Sequence, residues 1–168
     1  MEVIKLENEY KILECFYPNS NKLNTTIFNI IKKAKSKTIP LDDVFVFKMT
    51  DWNLNETYEF CLEDFLNFIS CTIKKEFNLN LKCSTCWGVI YNKGDYILSH
   101  SHSTEATFSF VYYLNAPKGS SPLIFSKSNY KVIPEFGKLV IFDSRLFHEV
   151  PENKSENRAC LVGNFSYV

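Results

Sequence analysis

From Leu81 onward the sequence breaks into short apolar segments rich in Val, Ile, Phe and Tyr, about eight to twelve residues apart, and that rhythm restricts the chain to an antiparallel sandwich or barrel. The segments are Cys86 to Tyr91, Tyr96 to His102, Thr107 to Asn115, Leu123 to Lys127, Tyr130 to Ile133, Lys138 to Asp143, Phe147 to Val150 and Arg158 to Val168. Turn-forming stretches separate them: Asn92-Lys93-Gly94, Pro117 to Ser121, and Glu152-Asn153-Lys154-Ser155. Eight strands in this order suit a jelly roll.

The first part of the chain has a different period. Leu23, Ile27, Ile30, Ile31 and Ala34 recur at helical spacing, so the pattern predicts a helix over roughly 22 to 37, ending in a lysine-rich stretch ahead of Pro40. A strand from Val44 to Met49 follows. Asn55 is then placed to cap a longer helix, reaching about Phe77, whose apolar face runs Tyr58, Cys61, Leu62, Phe65, Ile69, Ile73. No Pro/Gly/Ser-rich linker or repeat interrupts the sequence, and 168 residues with 45% hydrophobic content suffice for a core. The expectation is one domain over 1–168, mainly β with flanking helices (α+β). A helical buttress and the first strands occupy 1–80, a jelly-roll core occupies 81–168, and the two helices pack on one outer face.

Charge excludes some partners. Lys plus Arg and Asp plus Glu balance at 19 each, so the molecule lacks the excess that would hold a polyanion, and no nucleic-acid partner is expected. The Lys32, Lys33, Lys35, Lys37 group reads as a solvated helix end rather than a phosphate site. No signal-peptide pattern or bilayer-length apolar stretch occurs, which implies a cytoplasmic protein with no membrane partner; sequons such as Asn24-Thr25-Thr26 then carry no weight. The six cysteines read mostly as buried thiols. Cys83 and Cys86 have zinc-type spacing, but no second pair follows, and strand alternation would send them to opposite faces. Oligomeric state is not legible.

The chain has only three histidines, and they form a pattern: His100 and His102 flank Ser101, and His148 lies ten residues ahead of Arg158. Side chains two apart on a strand share a face, so His100 and His102 can grip one metal ion, with His148 completing a facial set. Such a set leaves the opposite coordination positions open to substrate and dioxygen. Glu105 is an alternative third ligand, with His102 then standing behind it, and Asp95 is a weaker one. Of the 19 basic residues only Arg145 and Arg158 are arginines. A guanidinium can hold a carboxylate through two parallel hydrogen bonds, which makes Arg158 the candidate anion anchor, with Arg145 or Lys138 next in line.

Over about Trp87 to Val168 these residues resemble the iron(II)- and 2-oxoglutarate-dependent dioxygenases, in the branch containing prolyl hydroxylases and predicted oxygenases of phages and bacteria. The likeness is carried by Tyr91-Asn92-Lys93-Gly94-Asp95-Tyr96, His100-Ser101-His102, Ser109 to Asn115, Pro134 to Phe142, and His148-Glu149-Val150 followed by Arg158. The resemblance implies a double-stranded β-helix, the cupin-like form of the jelly roll. It assigns iron(II) to His100, His102 and His148, and the far carboxylate of 2-oxoglutarate to Arg158, with Tyr113 and Tyr91 as further contacts of that cosubstrate. His102 stands where most members have Asp or Glu, giving a three-histidine site. The implied reaction uses O2 to convert 2-oxoglutarate to succinate and CO2 while hydroxylating a C–H bond, with a protein or peptide side chain as the leading substrate and a small molecule as the other. Specificity would sit in loops at the barrel mouth: Ser103 to Ala106, Ala116 to Ser121 and Asp51 to Asn55. A cupin-like metalloenzyme without 2-oxoglutarate and a non-catalytic ligand-binding barrel are the alternative readings.

Overall fold

The computed structural model describes residues 2–5, 10–33, 45–46 and 48–167. In chain order the elements are strands β1 (Glu2–Lys5) and β2 (Lys11–Phe16), helix α1 (Ser20–Lys33), strands β3 (Phe45–Val46) and β4 (Lys48–Met49), and helices α2 (Leu54–Thr57) and α3 (Glu59–Phe77). Eight further strands follow: β5 (Lys82–Tyr91), β6 (Tyr96–His100), β7 (Phe108–Asn115), β8 (Leu123–Phe125), β9 (Tyr130–Val132), β10 (Lys138–Asp143), β11 (His148–Val150) and β12 (Arg158–Ser166). They build two antiparallel sheets, a major one in the order β1-β2-β10-β7-β12-β5-β4 and a minor one in the order β3-β6-β11-β8-β9. This is the expected mainly-β jelly roll with flanking helices.

Alternation along the major strands sorts the core into two layers. Phe108, Phe110, Tyr112 and Leu114 of β7, with Leu139 and Ile141 of β10 and Ala159, Leu161 and Phe165 of β12, point to one side. There they meet Leu23, Ile27 and Ile31 of α1 and Leu62, Phe65, Ile69 and Ile73 of α3. Gly88 on β5 admits α1, since a Cβ there would lie 2.2 Å from the side chain of Ile31. The intervening residues, including Trp87, Val89 and Tyr91 of β5, Val111 and Tyr113 of β7 and Val140 and Phe142 of β10, face the minor sheet and enclose the second layer.

Four expectations need correction or bounding. The N-terminal hairpin was not foreseen, although β2 lies beside β10 with Ile12 and Leu13 fully buried. The second helix is broken at Tyr58 (φ −125°, ψ 35°), and the residue at its N-cap position is Asn53, which makes no side-chain cap hydrogen bond, rather than Asn55. The segment leading into it is pinned to β5: Cys86 donates its N–H to Trp52 O at 2.9 Å and forms an isolated parallel bridge with Asn53, which fixes where helical winding can begin. Cys83 and Cys86 both face the helices, because a bulge between the pairs Thr85–Asn164 and Cys83–Phe165 interrupts the alternation. Ala34, Lys35, Lys37 and Val44, on which parts of the first helix, the lysine group and the strand depended, lie outside the described residues.

Candidate metal and cosubstrate site

His148 on β11 stands directly opposite His100 on β6 in the minor sheet. His102 is not on the strand, which ends at His100; it sits just past the strand end, where its N–H donates to Ser144 O at 2.8 Å. The three rings nonetheless converge. Centroids are 4.3 Å apart for His100 and His148, 5.2 Å for His100 and His102 and 5.5 Å for His102 and His148, and one ligand atom from each lies within 4.8 Å of the others. The fixed partners decide which nitrogens face inward. Nδ1 of His100 lies 2.9 Å from Leu98 O, Nδ1 of His148 lies 2.9 Å from Leu146 O, and Nδ1 of His102 lies 3.3 Å from Glu105 Oε2. Each Nδ1 therefore keeps its proton for an acceptor, and each Nε2 lone pair is left to the site.

Burial keeps the His100 and His148 rings neutral. It lowers His100 to about 4, with His102 adding to the effect, and holds His148 well below the usual histidine range, helped by His100. Neutral imidazoles around a shared centre are what a divalent transition metal requires of its donors, so the set fits iron(II). Glu105 hydrogen-bonds His102 and does not join the converging set, and Asp95 is turned into its own hairpin, accepting from Asn92 N at 2.7 Å.

A cavity of about 280 Å³, near the lower end of the roughly 300–1,000 Å³ usual for ligand pockets, carries the histidines and Arg158 on one lining. Arg158 is 1% exposed at the start of β12, so it is not the surface ion-pair residue that its charge alone would suggest. Its Nε donates to Ser121 O at 3.0 Å and one terminal nitrogen reaches Cys160 Sγ at 3.5 Å. The guanidinium lies over the rings of Tyr91, at 4.7 Å, and Tyr113, at 5.3 Å. No carboxylate pairs with it among the described residues. A fully buried cation without an anion is costly, and the remaining donors fit a ligand carboxylate. The buried Tyr113 hydroxyl has no hydrogen-bond partner among the described residues, and burial pushes both tyrosines up, against the opposing pull of Arg158, so both hydroxyls stay protonated donors. Tyr91 lines the cavity itself, whereas Tyr113 stands behind the guanidinium.

The rival anchors are engaged elsewhere. Arg145 forms a fork on Asp143, Nε to Oδ1 at 2.8 Å and a terminal nitrogen to Oδ2 at 2.6 Å, and stacks on Tyr10. Lys138 is held by Glu14 and Glu135. Sequence reasoning missed the apolar wall, above all Trp87 and Trp52, whose rings stack at 4.4 Å with Trp87 6.1 Å from His102. Only the apolar alternation of β5 marked Trp87, and nothing in the sequence joined it to Trp52. Trp52 and Glu105 place two of the three expected mouth loops on the cavity.

The sequence matches the 2OG-Fe(II) oxygenase superfamily over residues 86–166, a little under half of the chain. No curated protein sequence matches the chain. Among solved structures it is similar to the viral collagen prolyl hydroxylase of Paramecium bursaria Chlorella virus-1 in its 2-oxoglutarate complex, at 14% identity and a TM-score of 0.76, covering 94% of this chain and 96% of that one. A Pseudomonas putida prolyl-4-hydroxylase gives 20% identity and a TM-score of 0.74 over 94% and 92% of the two chains. HygX of Streptomyces hygroscopicus, with nickel, 2-oxoglutarate and hygromycin B bound, gives 12% and 0.64 over 91% and 82%. No helix of the described residues is long and apolar enough to cross a membrane. These structural likenesses show the fold, and the family match spans the strands that carry His100, His148 and Arg158.

Proposed function

We propose that the chain hydroxylates a C–H bond of a protein or peptide side chain, with His100, His102 and His148 holding iron(II) and Arg158 holding the far carboxylate of 2-oxoglutarate. The observation that carries this reading is the pairing, in one cavity, of three convergent imidazoles with a buried guanidinium that no carboxylate pairs with among the described residues. Bound iron(II) supplies the activation of O2 that couples loss of CO2 from 2-oxoglutarate, leaving succinate, to oxidation of the substrate. The chain's own residues do the rest. Arg158 fixes one end of the diacid, and Tyr91 and Tyr113 hold the guanidinium plane and offer O–H donors. Val111, Leu123, Phe142 and Val150 line the cavity with apolar groups, which limits water at the reacting atoms. Trp52 and Trp87 give the mouth an aromatic platform for an apolar side chain.

The prolyl hydroxylase likenesses support a peptide substrate, and neutral charge supports the absence of nucleic acid. Lys32 and Lys33 end α1, the helix packed on the far side of the major sheet from the histidines. The test is anaerobic addition of iron(II) and then 2-oxoglutarate to metal-free protein, followed in the visible for the metal-to-ligand charge-transfer band, then O2 and assay for succinate. A band and succinate that grows with added peptide are expected. Metal binding without 2-oxoglutarate binding would restore the cupin-like alternative, and absence of metal binding would restore the ligand-binding barrel.

A further inference from the structure

The three histidines differ in what holds the nitrogen that faces away from the site. His100 and His148 are held by backbone carbonyls, which are neutral. His102 is held by the carboxylate of Glu105 at 3.3 Å. The local chain is built to keep that pair together. Glu105 N and Ala106 N both donate to His102 O, at 3.0 and 3.1 Å, so the turn that carries the carboxylate closes on the histidine it serves. Ser144 accepts from His102 N and its hydroxyl donates to Ala106 O, while Ser166 Oγ reaches Glu105 O at 3.4 Å, anchoring both ends of the turn to the barrel.

We infer that Glu105 is a positioning residue that acts through His102: its carboxylate takes the Nδ1 proton in a hydrogen bond, fixes Nε2 as the ligand atom and lends the site the negative charge that an H-x-D/E motif supplies by direct ligation. The inference rests on the reading of His100, His102 and His148 as metal ligands. Its physical basis is simple. Three neutral imidazoles leave a divalent ion at its full charge, whereas a carboxylate hydrogen-bonded to the outer nitrogen of one ring makes that ring more basic without occupying a coordination position. His102 has such a partner in Glu105, and it stands at the position where the family pattern has its acid.

Cobalt(II) binding to the metal-free protein provides the test, read by calorimetry and by the ligand-field absorption of the bound ion. The variants are Glu105→Gln, His102→Asp, the double variant and His148→Ala. Glu105→Gln should weaken cobalt(II) about 10- to 100-fold and shift the ligand-field bands while their intensity, which reports coordination number, stays the same. In the His102→Asp background, where no Nδ1 remains to be held, Glu105→Gln should change neither. Parental affinity and spectrum in Glu105→Gln would overturn the inference, as would an equal loss in both backgrounds. Complete loss in Glu105→Gln, matching His148→Ala, would make Glu105 a direct ligand and overturn it in another way. If the parent itself bound no cobalt(II), the three-histidine reading would fall and this inference with it.

Discussion

The two faces of the major sheet are made by alternate residues of the same strands, yet they are made of different materials. Toward the helices β12 presents Ala159, Leu161 and Phe165, all fully buried among apolar side chains. Toward the cavity the same strand presents Arg158, Cys160, Val162 and Asn164. On β7 the split is Phe108, Phe110, Tyr112 and Leu114 against Ser109, Val111 and Tyr113. The helix face gains stability from dense apolar contact. The cavity face gives some of it up: it buries a cation, leaves a tyrosine hydroxyl unpaired and aims three imidazoles at one point. Features that cost stability and gather in one place mark the side on which the chain does its chemistry.

The largest expected effect is on the cavity face. His148→Ala should abolish iron(II) binding in a metal titration while circular dichroism shows the fold retained, because two imidazoles do not hold a labile ion in an open site. Normal iron affinity in this variant would remove the metal assignment. Next comes the opposite face, where Phe65→Ala should cost about 3–5 kcal/mol of unfolding free energy by denaturant titration and leave metal stoichiometry unchanged in the folded fraction. A loss of metal affinity as large as the loss of stability would mean that the faces are not separable.

Arg158 then sharpens the contrast. Charge-assisted hydrogen bonds of about 1.5–3 kcal/mol imply a roughly 10- to 150-fold loss of 2-oxoglutarate affinity in Arg158→Met, measured by calorimetry, with Arg158→Lys also weakened. The denaturation midpoint of the ligand-free Arg158→Met protein should stay the same or rise, since an unpaired buried charge has been removed. A variant both unstable and normal in 2-oxoglutarate binding would place Arg158 with the structural face. The smallest effect is on pH dependence. The folded-state pKa of His100 is depressed to about 4 by burial, and burial also holds that of His148 well below its unfolded value of about 6.5. The unfolded chain therefore binds more protons in this window, and metal-free protein should lose stability as pH falls from about 6.5 toward 4. His148→Gln should flatten that slope, while Phe65→Ala should shift the curve without changing its shape.

Much of this was legible in the sequence because it depends on period. Alternation placed the strands from β5 to β12 within a few residues, and the helical spacing of Leu62, Phe65, Ile69 and Ile73 identified the face that α3 buries. Less was legible where a local interruption resets the period. The bulge beside Thr85 turned Cys83 toward the same side as Cys86, and Tyr58 broke a helix whose apolar spacing ran straight through it. His102 was expected on a strand and lies beyond its end, held by a backbone contact to Ser144 that has no sequence signature. Arg158 stood out by rarity, but its burial between two tyrosine rings depends on the pairing of β12 with β5 and β7, which sequence spacing does not specify. The Trp52–Trp87 stack was invisible for the same reason, since its partners come from different parts of the chain.

That stack has an optical consequence. The chain contains two tryptophans, and both line the cavity, 4.4 Å apart, with one of them 6.1 Å from a histidine of the converging set. All of the protein's indole emission therefore originates at a single place, with no distant fluorophore to dilute it. Two indoles so close also couple their excited states, giving a near-ultraviolet dichroic couplet that depends on their mutual angle, 39° here. The molecule carries its own reporter: arrival of a metal ion beside Trp87 registers as quenching, and a substrate that parts the two rings registers as loss of the couplet.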